Sequence, residues 1–170
     1  MSISEFDDAY EDKEIIRGAI LSTPISELTL REPILVDAEA SVAAAVNAMN
    51  EHRTGCVLVE QSGRLAGIFT ERDVLTKVIF RNNSNALKVD AVMTRNPETL
   101  EANQTIAYAL NKMSVGGFRH VPLVDAESRP VGIISVKDIV DYLVDLFPND
   151  VLTVPPDARR GEMWRGRDGG

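Results

Sequence analysis

The sequence predicts an α+β fold in which one β-α-β-β-α unit is used twice. The first observation is internal repetition: residues 25–51 match 89–115 at an offset of 64, and residues 56–79 match 121–144 at an offset of 65. Identical pairs include Arg31/Arg95, Pro33/Pro97, Asn47/Asn111 and Met49/Met113, then Leu58/Leu123, Gly67/Gly132 and Asp73/Asp138. The second observation is that the structural signals follow one another in the same order in both copies. The third is a hydrophobic fraction of 44% in 170 residues, enough for a packed core.

Each element follows from its local pattern. Extended pieces after a proline are expected at 34–36 and 99–100. Ser41 and Thr105 offer N-caps, and Val42, Ala45, Val46 and Met49 repeat as Ile106, Ala109, Leu110 and Met113. That i, i+3, i+4, i+7 spacing buries one helical face. Two apolar runs follow in each copy, 56–59 with 65–69 and 120–124 with 131–134, and the short polar turns between them predict strand pairs. Helices over 71–80 and 136–147 close the units, and a further helix is expected over 10–21. The Pro-, Gly- and Arg-rich residues 148–170, which include Trp164, read as a mobile tail.

Charge excludes several function classes. The net charge is −8, with six acids and one base in residues 1–14, sixteen acids and thirteen bases in 15–147, and four of each in 148–170. A nucleic-acid binder normally carries a basic surplus, so nucleic acid is not expected as a partner. No apolar run reaches the roughly 18 residues that cross a bilayer. The acidic start lacks a basic region followed by an apolar stretch, so no secretory signal and no membrane association are expected. The single cysteine, Cys56, excludes an internal disulfide and a cysteine-based zinc site. A cytoplasmic protein is the expectation.

The sharpest repeated motif runs from Gly67 through Thr70 to Asp73, and from Gly132 through Ser135 to Asp138. A hydroxyl and an acid three residues apart, where a strand becomes a helix, form a capping box. The same geometry suits a ligand. Helix-start N–H groups and the hydroxyl can hold a phosphate, and the carboxylate can accept from a ribose diol. Arg72 and Lys137, inside these motifs, are either solvated first-turn side chains or phosphate contacts.

These stretches, Arg53–Leu75 and Arg119–Val140 joined through Val92–Leu100, resemble a tandem pair of cystathionine β-synthase (CBS) domains, the Bateman module. The resemblance covers about residues 24–147. It implies two repeats, 24–82 and 83–147, packed with pseudo-twofold symmetry behind an N-terminal segment, 1–23. It also implies a regulatory module that binds adenosine-containing ligands (AMP, ADP, ATP or S-adenosylmethionine) in clefts between the repeats, with no required cofactor and no catalytic role. The alternative is a ligand-independent interaction module. By the family pattern Thr70 and Asp73 would serve one cleft and Ser135 and Asp138 the other, with Arg119 and His120 meeting phosphate. The first copy has Val57 where the second has Pro122, and Thr54-Gly55 where the second has Arg119-His120. The expectation is that the basic pair completes the site of its own repeat, so that Asp138→Asn removes more ligand response than Asp73→Asn.

No reaction is nominated. His52 and Cys56 are four apart, but the helix should end near His52 and a strand begin at Cys56, leaving a buried, inert thiol. Two histidines are too few for a His-rich metal site, and neither phosphate-cradling glycine motif is present. On the last helix, Ile139, Val140, Tyr142, Leu143, Val144, Leu146 and Phe147 span about 200° of arc, against about 100° for one buried face. The surplus predicts self-association, which in the family means a homodimer, with a regulated protein partner as a further possibility of the class.

Overall fold

A computed structural model describes residues 14–81 and 87–146. Helical backbone over residues 14–22 (α1) leads to a 3-10 turn at Ile25–Glu27. The first unit comprises β1 (Leu35–Asp37), α2 (Val42–Glu51), β2 (Cys56–Gln61), β3 (Arg64–Thr70) and α3 (Glu71–Asp73). A second 3-10 turn at Val89–Ala91 leads to β4 (Thr94–Arg95), then α4 (Ile106–Gly116), β5 (His120–Val124), β6 (Pro130–Ser135) and α5 (Val136–Leu146). The expected helix residues 10–13, Phe147, and the 148–170 tail with Trp164 lie outside the described residues.

The predicted caps form. Ser41 Oγ accepts from Ala44 N at 3.1 Å and Thr105 Oγ1 from Tyr108 N at 3.4 Å, so each helix begins where a side-chain oxygen satisfies an otherwise unpaired N–H. Both strand pairs are antiparallel, Val57 facing Phe69 and Val121 facing Ile134. The first sheet has the order β1-β2-β3-β4, with β1 parallel to β2; the second holds β5 and β6 alone. The expected strand at 99–100 reduces to one parallel bridge, Leu100 to Leu123. Leu100 donates to the Pro122 carbonyl there at 3.0 Å, and Pro122 itself has no N–H to give.

The expected helix over 71–80 is also modified. After one α-turn the backbone widens to a π-turn at Val74–Val78, where Ile79 N bonds to Val74 O at 3.1 Å. Thr76 Oγ1 takes the Arg72 carbonyl at 2.7 Å, competing with the backbone for the bond that would continue an α-helix.

The two units exchange their leading segments. Ile25 N bonds to Gln104 O at 2.8 Å and Ile106 N to Thr23 O at 3.0 Å. In the mirror arrangement Val89 N bonds to Ala40 O at 2.9 Å and Val42 N to Leu87 O at 2.7 Å. The cores follow the exchange. Val89, Val92 and Met93 pack with Val42, Met49, Val59 and Phe69 of the first unit, whereas Ile25 and Leu28 pack with Ile106, Met113, Ile134 and Ile139 of the second. A small third cluster, Cys56, Leu58 and Ile68 with Leu65 and Ile133, joins the units.

Candidate functional site

Two clefts open between the units, and each draws on both. The first, about 440 Å³, brings Thr70, Arg72 and Asp73 together with Arg119 and His120 of the other unit, and with Thr94, Asn96 and Glu98 of the linker. The second, about 360 Å³, brings Ser135, Lys137 and Asp138 together with Arg53 and Thr54, and with Arg31 and Glu32. Gly55 and His120 line both. The expected grouping by repeat is therefore corrected. Arg119 stands with Thr70 and Asp73 rather than with Ser135 and Asp138, because each central strand begins beside the other unit's closing helix. His120 faces both pairs. The reason for ranking Asp138→Asn above Asp73→Asn disappears with that grouping.

Within each unit a backbone bond holds the closing helix to the residue that precedes its own central strand: Glu71 N bonds to Gly55 O, and Val136 N to Arg119 O, both at 3.0 Å. The link across the first cleft is made by a side chain, Arg72 Nη1 donating to the Gly117 carbonyl. Gly67 lets the linker approach. A Cβ there would lie 2.4 Å from Met93 Sδ and 2.8 Å from Thr94 O, so only glycine allows β4 to pair with β3 and carry Thr94 and Asn96 to the first cleft.

Both hydroxyl–acid motifs form capping boxes. Asp73 Oδ2 accepts from Thr70 N at 2.9 Å and Oγ1 at 2.8 Å; Asp138 Oδ2 accepts from Ser135 N at 2.7 Å and Oγ at 2.6 Å. The pairs then differ. Asp73 Oδ1 meets Lys77 Nζ at 2.6 Å, whereas the residue four after Asp138 is Tyr142, whose hydroxyl lies 3.2 Å from Thr23 Oγ1. Arg72 reaches across the first cleft to the Gly117 carbonyl at 3.2 Å, and Lys137 pairs with Asp141.

Burial holds the His120 imidazole below its ordinary pKa, and Arg119 pushes the same way, against Asp138 and Glu71. The Cys56 thiol is pushed up to about 11, first by burial and further by Glu71 and Asp138. It is a poor nucleophile in that state, and His52, the C-cap of α2, shares the second cleft without a hydrogen bond to it. Among the described residues no group of three or more His, Cys, Asp or Glu side chains could hold a metal ion. No helix of the described residues is long and apolar enough to cross a membrane.

The motif search missed the contributions of Arg31, Glu32, Thr94, Asn96 and Glu98. Their signal was the repeat offset itself, since 30–34 and 94–98 are the same stretch of the two copies.

The CBS domain family matches the sequence at residues 25–79 and again at 89–145. A CBS domain-containing protein of Arabidopsis thaliana, CBSCBSPB2, is 33% identical over 131 residues, 76% of this chain, which spans 24% of that protein's length. A CBS-domain containing protein of Agrobacterium tumefaciens superposes with a TM-score of 0.65 at 32% identity, covering 71% of this chain and 98% of its own. The CBS domain pair of the protein MJ0100, solved with 5′-methylthioadenosine and S-adenosyl-L-methionine, gives 0.63 at 26% identity, covering 71% of this chain and 98% of its own.

Proposed function

Because the chain belongs to the CBS domain family, we propose that it is a cytoplasmic, non-catalytic regulatory module whose two clefts bind adenosine-containing ligands. The carrying observation is the composite build of each cleft: a hydroxyl–carboxylate pair from one unit faces basic side chains from the other. Such a site reads two parts of one ligand. Asp73 or Asp138 accepts from a ribose diol, while Thr70 or Ser135 with Arg72 and Arg119, or with Lys137, meets a phosphate or another anionic group. The ligands of MJ0100 share the adenosine part, which supports that class. A ligand touching both units favours one relative orientation of them, and a partner protein can read that orientation.

Thermal denaturation with AMP, ADP, ATP, S-adenosylmethionine and adenosine tests the reading. A ligand held at 100 times its dissociation constant stabilises the fold by about 2.7 kcal/mol. That corresponds to roughly 5–10 °C for a domain of this size. The recovered ligand should be chemically unchanged. If none of the five moves the midpoint at millimolar concentration, the ligand reading fails. The clefts then serve only assembly.

A further inference from the structure

We propose that Arg53 makes the second cleft read the phosphate of its ligand. The inference rests on the adenosine reading above and adds the residue that distinguishes one adenosine compound from another. It starts from the backbone. Arg53 follows the C-cap of α2 with φ of 50°, in the left-handed region. At the same place in the second copy, 64 residues on, Gly117 ends α4 with φ of 67°. Glycine takes this conformation freely, whereas an L side chain is crowded by its own backbone. The first copy thus carries a long cationic side chain at a position whose geometry favours none.

That side chain lines the second cleft. Arg31 lines it too, arriving from the segment that follows the exchanged lead-in. Lys137 of the same cleft is paired with Asp141, but among the described residues neither Arg31 nor Arg53 has an acidic partner. The cleft's own acids are Glu32 and Asp138, and the Oδ2 of Asp138 is taken up by Ser135. Two uncommitted guanidinium groups beside a serine hydroxyl suit a phosphate, which they can grip through paired N–H donors. The first copy lacks the Arg-His pair of the second, and Arg53 with Arg31 supplies the missing charge from other positions.

Arg53→Gly tests this without endangering the fold, since it puts glycine where the backbone favours glycine. Calorimetric titrations with AMP, adenosine and inorganic phosphate are compared for Arg53 and Arg53→Gly proteins, both carrying Arg119→Ala to weaken the first cleft. The expected result is an apo melting temperature that does not fall, AMP affinity reduced about tenfold or more, and adenosine affinity unchanged. Arg53→Lys should retain most of the AMP affinity. Unchanged AMP affinity in Arg53→Gly, or equal losses for AMP and adenosine, overturns the proposal. If neither nucleoside nor nucleotide binds the unsubstituted protein, the adenosine reading itself fails. Binding of inorganic phosphate with no gain from adenosine refutes that reading while leaving the anion role of Arg53 standing.

Discussion

Replacing Asp73 by asparagine should destabilise the ligand-free protein more than replacing Asp138, although the two occupy equivalent places in the repeats. Both carboxylates receive two short bonds from their capping hydroxyl residue, and asparagine retains one oxygen to accept them. Turning charge-assisted bonds into neutral ones costs about 1 kcal/mol in this setting. Asp73, only 6% exposed, also holds Lys77 at 2.6 Å, while Asp138 has no cation paired with it among the described residues. Losing an ion pair whose acid is buried adds about 1–2 kcal/mol, discounted because Lys77 itself is partly exposed. The expected costs are therefore about 2–3 kcal/mol for Asp73→Asn and about 1 kcal/mol for Asp138→Asn. At about 2–4 °C per kcal/mol, the melting temperature falls by roughly 5–10 °C and 2–4 °C, respectively. Circular dichroism melts of the two variants, with Lys77→Met and the Asp73→Asn/Lys77→Met double variant, measure the difference and its source. Equal melting points for the two single variants, or additive effects of Asp73→Asn and Lys77→Met, would refute the reasoning. With ligand present, each asparagine should remove one of two binding events and leave the other titratable.

Gly67→Ala should lower stability by about 1–3 kcal/mol, since its methyl group enters the space of Met93 Sδ and Thr94 O, and should weaken ligand binding in the first cleft by displacing β4; chemical denaturation and titration read the two effects. His120 titrates below the ordinary 6.5 in the folded state, so the unfolded chain takes up its proton first. Its contribution is complete above pH 6.5 and is lost as pH falls from there through the folded pKa; His120→Asn should remove that part of the pH slope in denaturation midpoints. An anionic ligand raises the imidazole pKa against burial and Arg119, adding to Asp138 and Glu71, so AMP should bind with a proton uptake that is smaller in His120→Asn, where only the phosphate of AMP, with its second pKa of about 6, still titrates; calorimetry in buffers of different ionisation enthalpy reads the difference. The exposed Val140 and Leu146 of α5, with Leu75, Ile79 and Phe80 of the first unit, leave apolar surface that a second copy can cover. Light scattering at tens of micromolar should give the dimer mass, and a monomer there counts against it.

The elements were legible because their signals are local. Ser41 and Thr105 announce helix starts, the spacing of Val42, Ala45 and Met49 announces a buried face, and the 64- and 65-residue offsets expose the repeat. The hydroxyl–acid motifs were found for the same reason, since three residues set their geometry. What escaped depends on contacts across the chain. Nothing in the pattern around Ile25 says that it packs on Ile106 rather than on Val42, because both neighbourhoods are apolar. The composition of each cleft follows from that crossing, so Arg119 could not be placed beside Asp73 from spacing alone. The π-turn at Val74–Val78 arises from one hydroxyl competing for one carbonyl, which helical periodicity does not register.

The exchanged leading segments also set how this chain can acquire its structure. The first core remains open until Val89, Val92 and Met93 have been synthesised, and Ile25 has no core to enter until Ile106 and Ile134 exist. Bonds such as Ile25 to Gln104 join residues far apart in sequence, and such pairings slow folding because loops must close before the contacts repay them. Neither half is a self-sufficient folding unit. A nascent chain halted after the first repeat holds an unfilled cavity at one end and an unplaced isoleucine at the other; residues 89–93 can fill the first as they emerge, but the second waits for Ile106, Ile134 and Ile139.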